Sequence, residues 1–475
     1  MVGREREIEE LMRAYESSQS EFVAVYGRRR IGKTFLIRET FNSKFVFAHS
    51  GIAKSGTKIQ LGRFRDSLVE CGLEECPALK SWFEAFDKLK TLVERSRVTK
   101  KVIFIDEMPW MDKPNANFIP ALENFWNAWA SARKDVLLII CGSATSWMLK
   151  KVIHSKGGLH NRVTYRIPLR PFTLAECEKL SESLGLDLSL YQIAQYYMAL
   201  GGVPFYWNYL RRGYSVAQNM DELFFAGSDK LEGEFDELYS SLFTRKEPYV
   251  KIITALGTKK KGMTREEISQ ITGLGNCGAL TKYLQELEQC GFIRRYRLNG
   301  RAIRDSLYQL IDNLTLFYFK FVKENLDGDV HFWSTSIDSR IMSTWQGLSF
   351  ELIALQHVEQ IKRALQIAGV HSVNYAWRSE RGDLCLPGAQ IDLVIDRKDG
   401  VVDLCEMKFN ELPHVITRQE YDSVMNKKLA LKRELPSRKS VHIVYVTTFG
   451  IERNQYREAI QADITLEDLF AAVCA

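Results

Sequence analysis

The chain has 475 residues, too many for a single hydrophobic core, and a length prior points to about three or four domains. Its 45% hydrophobic and 26% charged content is that of a soluble globular protein, without an apolar run near the roughly 18 residues of a membrane span or an apolar signal region in MVGREREIEEL, so a cytoplasmic location with no membrane partner is expected. Lys and Arg number 65 against 59 Asp and Glu, a net +6 too mild to argue for nucleic acid unless concentrated, and nine scattered cysteines without a CxxC pair argue against a disulfide framework or a zinc site.

In chain order, the first informative stretch is EFVAVYG followed by RRRIGKTF, residues 21–35. A short apolar run ends in glycine and leads into a helical pattern, the strand, loop, helix order that GxxxxGK[ST] requires, filled by Gly27, Gly32, Lys33 and Thr34. The glycines let successive backbone N–H groups turn inward around phosphate oxygens at the helix start. Lys33 would neutralise the β and γ phosphates of ATP, and Thr34 would hold Mg²⁺ through its hydroxyl. Arg28, Arg29, Arg30, Ile31 and Phe35 complete the ATP-binding stretch. Because backbone amides hold the phosphates, the arginine side chains can point elsewhere. They form either a solvated basic rim or a contact with an acidic surface of a lid, a neighbouring copy or DNA.

Further on, KVIFIDEMPW reads as a buried strand ending in Asp106 and Glu107. Asp106 would reach the magnesium shell and Glu107 would orient the attacking water. A third strand, DVLLIICGSAT, ends in Ser143, either a turn former or a sensor of the γ-phosphate.

The opening VGREREIEEL, with Gly3, Arg4, Glu5 and Glu7, together with YGRRRIGKT, FIDE and GGVP at 201–204, resembles the archaeal-type ATPases, relatives of the STAND and AAA+ P-loop ATPases. The resemblance implies that Arg4 belongs to the nucleotide site. It also implies a helical lid after the α/β core, with GGVP as its GxP motif and Pro204 close to the adenine. Without the family, GGVP reads equally as a helix break. The region matching an intersubunit arginine finger is GGLHNRVTYRIPLRPF, where Arg162 is the candidate, although HNR stands where the family often has a Tyr-Gly-Arg style sequence. A finger would require a second copy of the chain; Arg162 as a plain surface arginine would not.

Residues 251–304 carry eleven Lys or Arg against four Glu, a net +7 that exceeds the charge of the whole chain. Thr264 precedes Glu267 by a capping-box spacing, and Leu280, Tyr283, Leu284 and Leu287 fall on one face of a following helix. The stretch FIRRYRLNGRAIRDSLYQL then reads as two strands joined at Asn299-Gly300. Helix, turn, helix and basic hairpin make a winged helix-turn-helix. Lys282 would face a DNA groove, with Arg294, Arg295, Arg297 and Arg301 on the backbone side. Winged helices also dock proteins, so a protein partner is the alternative.

After the aromatic-rich LYQLIDNLTLFYFKFVKENL, an amphipathic helix carries Glu351, and AQIDLVIDRKDGVVDLCEMKF forms two strands bearing Asp392, Glu406 and Lys408. Glu406 and Lys408 share a strand face, and a tight turn would put Asp392 opposite Glu406. Two carboxylates and an ammonium suit Mg²⁺-dependent phosphodiester hydrolysis, with Asp392, Glu406 and Glu351 on the metal and Lys408 steadying the nucleophile or developing charge. The pattern resembles the PD-(D/E)XK nuclease fold, although Gln390-Ile391 stands where a Pro or Glu can precede the Asp; an exposed ion pair on a hairpin is the plainer reading.

The expected fold class is therefore α/β, a P-loop NTPase core with a helical lid, a winged helix-turn-helix and a C-terminal α/β restriction-endonuclease-like domain. Expected boundaries are 1–170 for the core, 171–245 for the lid, 246–312 for the winged helix and 313–475 for the nuclease-like domain. The expected function is ATP binding and hydrolysis coupled to DNA binding and Mg²⁺-dependent DNA cleavage; the alternative is a nucleotide-switched regulator of DNA or protein whose C-terminal site is inactive.

Overall fold

The computed structural model describes residues 1–155, 157–227, 230–231, 233–243, 245–259, 262–296, 306–325, 328–379 and 388–472. The chain divides into two compact units. One comprises Met1–Pro171 with Glu237–Lys246, the other Phe172–Asp236 with Glu247–Ala475. The end of the expected lid, from Glu237 on, thus clusters with the core.

The first unit is built on strands β1 (Glu21–Tyr26), β2 (Phe47–Ser50), β3 (Lys101–Asp106), β4 (Val136–Gly142) and β5 (Tyr165–Pro168), in the order β2-β3-β4-β1-β5 with every pairing parallel. All residues of β3 and β4 are buried, as a parallel sheet covered on both faces requires, and this is why their sequences run apolar without alternation. Helices α1 (Glu5–Glu16) and α2 (Lys33–Thr40) flank β1 in sequence. An aromatic core packs beside the sheet, with Trp82 edge-on to Phe118 at 4.8 Å and His49 of β2 against Phe64 at 5.0 Å. In a parallel sheet, ligands bind in the crevice beyond the carboxyl ends of the strands, and β4, lying between β1 and β3, brings its tip between theirs.

The second unit begins with helices whose starts are written in the sequence, since Thr173/Glu176, Ser189/Gln192 and Ser215/Gln218 each close a capping box. Helices Glu247–Thr258, Arg265–Thr272 and Gly278–Gln289 accompany an antiparallel sheet of β6 (Met263–Thr264), β7 (Ile293–Tyr296) and β8 (Leu307–Leu310), in the order β6-β8-β7. The expected capping box is present, with Thr264 N–H donating to Glu267 at 2.7 Å and Glu267 N–H to the Thr264 hydroxyl at 3.2 Å. The Asn299-Gly300 turn lies outside the described residues. Of the aromatic stretch at 317–321, Phe317 and Phe321 are buried and pack with Trp333 and Trp345. Beyond it, β9 (Ser372–Ser379), β10 (Ala389–Arg397) and β11 (Val401–Lys408) pair antiparallel, and β12 (Ser440–Thr447) and β13 (Ala462–Ile464) join parallel. Among the described residues no helix is long and apolar enough to cross a membrane.

Two buried histidines make stability depend on acid. His357 Nε2 accepts the Leu174 N–H at 3.1 Å, so its proton sits on Nδ1, 2.8 Å from the Ile353 carbonyl. Burial lowers the pKa of His357 to about 4, and burial together with Arg63 does the same for His49. Between the ordinary value and about 4 the unfolded chain binds protons that the folded chain refuses, so stability falls as pH drops through that window, by up to about 3 kcal/mol per histidine. Urea midpoints measured across this window should fall less steeply for His357→Asn than for the parent, and equal slopes would reject the assignment.

Candidate functional site

The nucleotide loop is shaped by close backbone packing. A Cβ on Gly27 would lie 2.2 Å from the Leu169 carbonyl oxygen, so only glycine lets the loop leave β1 beside the chain emerging from β5. Gly32, at φ 88°, caps α2 and turns the chain into the helix. Lys33 is buried and donates to the Gly27 and Arg28 carbonyls at 3.0 and 2.7 Å, drawing the loop around itself.

Three strand ends converge on this loop. The Thr34 hydroxyl donates to Asp106 Oδ2 at 2.7 Å, and the Glu107 N–H donates to Asp106 Oδ1 at 2.8 Å. Glu107 takes a left-handed backbone at φ 45°, unusual for a non-glycine residue and a mark of functional sites. Its carboxylate receives the Ser143 hydroxyl and, at 3.5 Å, the Ser143 N–H. Glu107 and Ser143 face a cavity of about 460 Å³ that is also lined by Arg29, Trp110, Glu237 and Ser240. Hydroxyl and carboxylate oxygens are the donors that Mg²⁺ takes, so Thr34 and Asp106 fit that ion.

Residues 1–210 match the family described as an ATPase domain predominantly from Archaea. The match marks them as an ATPase domain. A curated relative, the uncharacterised protein MJECL04 of Methanocaldococcus jannaschii, is 28% identical over 337 residues, spanning 68% of this chain and 69% of the relative. Among solved structures, the Walker-type ATPase PABY2304 of Pyrococcus abyssi shares the fold with a TM-score of 0.50 at 18% identity, covering 66% of this chain and 95% of that one. The ORC2 protein of Aeropyrum pernix, in ADPNP–ADP complexes, aligns with a TM-score of 0.41 at 14% identity, over 69% of this chain and 96% of that one.

Within the ATPase domain the remaining expected residues take varied places. Arg4 is buried with φ 70° and donates to the Arg170 carbonyl at 2.7 Å and the Ile31 carbonyl at 3.4 Å, so it ties the start of α1 to the phosphate loop through backbone groups. Arg28 is buried, Arg29 borders the cavity, and Arg30 pairs with Glu237 at 3.0 Å. Phe35 is 56% exposed, and Arg162 is exposed at the surface. Pro204 opens the short helix Pro204–Trp207. The preceding Gly202 has a packing reason of its own: a Cβ there would lie 1.8 Å from the Phe172 carbonyl oxygen.

In the basic segment, Lys282 and Arg295 are exposed, although Lys282 stands 3.9 Å from Glu286. Arg294 departs from the expected phosphate-facing position. Its Nε donates to Gln309 at 2.7 Å and its guanidinium lies over the Tyr296 ring at 4.8 Å. Cross-strand pairing across β7 and β8 turns it inward. Arg297 and Arg301 lie outside the described residues.

The C-terminal carboxylates do come near one another. Leu393 pairs with Cys405, which sets Asp392 level with Glu406, and a register shift against β9 between Ile391 and Val394 places Asp392 in a bulge, a device that re-aims side chains. Asp392 accepts from Gln390 Nε2 at 2.7 Å. Glu351, on helix Arg340–Gln356, has its pKa raised to about 7 by burial and by the negative charges of Asp392 and Glu406.

The ammonium is not where the sequence pattern puts it. Lys427, from helix Arg418–Glu434, bonds Glu406, whereas Lys408 pairs with Glu420 at 3.2 Å. Burial raises the pKa of Glu406, and Lys427 opposes that rise. Glu420 also receives the His414 ring at 3.0 Å and the Tyr445 hydroxyl at 3.1 Å. Burial would raise its pKa, but His414 and Lys408 hold it down at about 2. Among the described residues no three His, Cys, Asp or Glu side chains form a group able to hold a metal ion. In this arrangement Lys427 balances the charge of Glu406, while Glu351 and Asp392 stay near it as further carboxylates. Neither Lys427 nor Glu420 had a sequence signal beyond a basic helix and a residue following the Thr417 cap.

Proposed function

We propose that the protein is an ATP-driven switch in which nucleotide state governs DNA binding by a winged helix-turn-helix. The observation that carries this reading is the convergence of Thr34, Asp106, Glu107 and Ser143 at neighbouring strand ends beside the phosphate loop. Lys33 and the loop amides bind the phosphates, Glu107 orients the attacking water, and Ser143 holds Glu107 in place. Thr34 and Asp106 would hold Mg²⁺, which would supply charge neutralisation to the bound nucleotide. Arg162 serves as a finger toward a second copy of the chain, and Pro204 serves the adenine.

The excess of cations in 251–304, with Lys282 and Arg295 exposed, supports DNA as the partner. If about four phosphates are neutralised, affinity for duplex DNA should fall about 10²-fold between roughly 50 and 200 mM salt. Lys282→Ala should lower affinity across sequences alike. Binding indifferent to salt would reject the DNA reading in favour of a protein partner.

A second reading, Mg²⁺-dependent DNA cleavage by a PD-(D/E)XK-like C-terminal domain, is favoured by the mutual repulsion of Glu351, Asp392 and Glu406. The Lys427–Glu406 pair stands against it. Supercoiled and linear DNA, incubated with Mg²⁺ or Mn²⁺ with and without ATP, separates the two. Cleavage lost in Glu406→Ala establishes the nuclease, and its dependence on Lys33 shows ATP control. No cleavage with ATP hydrolysis intact leaves the switch alone.

A further inference from the structure

The arginines of the phosphate loop have a counterpart far along the chain. Arg30 Nη2 lies 3.0 Å from Glu237 Oε2, and Arg29 Nη1 reaches the backbone carbonyl of the same Glu237 at 3.5 Å. Glu237 sits on helix Glu234–Leu242, and the segment from Glu237 to Lys246 clusters with the ATPase domain although the chain on either side of it belongs to the second unit. Ser240, one turn along, lines with Glu237 the cavity that Glu107 and Ser143 face. This strap therefore meets both the phosphate loop and the hydrolytic side of the site.

Arg30 is also the non-glycine loop residue whose backbone is left-handed, at φ 70°, a conformation that side-chain-bearing residues rarely adopt without support. Its side chain is 13% exposed, so the position of its guanidinium is well determined by its surroundings. We propose that Glu237 is a positioning residue of the phosphate loop, holding Arg30 and with it the loop's left-handed turn, so that nucleotide affinity depends on the Glu237–Lys246 strap being seated. Glu237 acts through Arg30.

The carboxylate of Glu237 is 65% exposed, so solvent screens the pair and its removal has a moderate effect. In the full-length protein, Glu237→Gln should weaken binding of a fluorescent ATP analogue about twofold to fivefold and raise KM in proportion, with kcat little changed. Glycine adopts the left-handed turn without strain, so in an Arg30→Gly background Glu237→Gln should change nothing further. Arg30→Glu combined with Glu237→Arg should recover affinity lost by Arg30→Glu alone. Unchanged affinity in Glu237→Gln, an equal loss in the Arg30→Gly background, or a fall in kcat at constant affinity would each overturn the assignment.

Discussion

Glu107→Gln should leave ATP bound and lower its turnover by about 10²–10⁴-fold, the range expected when a carboxylate that orients and deprotonates water becomes an amide. The backbone explains why no neighbour can substitute. Asp106 is engaged by the Thr34 hydroxyl at 2.7 Å and by the Glu107 N–H at 2.8 Å, and the left-handed turn at Glu107 sends the next carboxylate toward Ser143. Lys33→Ala should behave differently and lose binding as well as turnover. In the proposed site Lys33 would supply the positive charge that meets the phosphates, and through the Gly27 and Arg28 carbonyls it holds the loop together. Equilibrium binding combined with single-turnover hydrolysis distinguishes the two variants. Parent-like turnover in Glu107→Gln would remove that residue from the reaction.

Gly202→Ala should destabilise the second unit by about 3 kcal/mol or more, at the upper end of what overpacking costs. The added Cβ would fall 1.8 Å from the Phe172 carbonyl oxygen and 2.6 Å from its carbonyl carbon, and backbone cannot swing aside as a side-chain tip can. The same approach carries the Phe172 N–H to the Gly202 carbonyl at 2.6 Å, and Trp207 Nε1 donates to the Gly201 carbonyl at 2.9 Å, so yielding would break bonds on both sides. A lowered urea midpoint in the absence of nucleotide is the expected reading. Unchanged stability with weakened ATP binding would instead place the role of GGVP with Pro204 at the adenine.

The parts legible in the sequence were those encoded locally. GxxxxGK[ST] at 27–34, the apolar strands ending in Asp106–Glu107 and Ser143, and the Thr264/Glu267 capping box are each short runs whose backbone geometry depends on their own residues. The family resemblance was legible for the same reason, since its motifs are likewise short local runs. Pairings between distant segments were not. Arg30 meets Glu237 across 207 positions, Lys427 rather than Lys408 takes Glu406, and Arg294 turns to Gln309 because β7 and β8 pair. A long cation has many acidic partners within reach of an unfolded chain. Burial, strand register and helix placement select one among them, so the sequence alone determined which chemical groups are available at each site, and only the tertiary structure decided which of them neutralise one another.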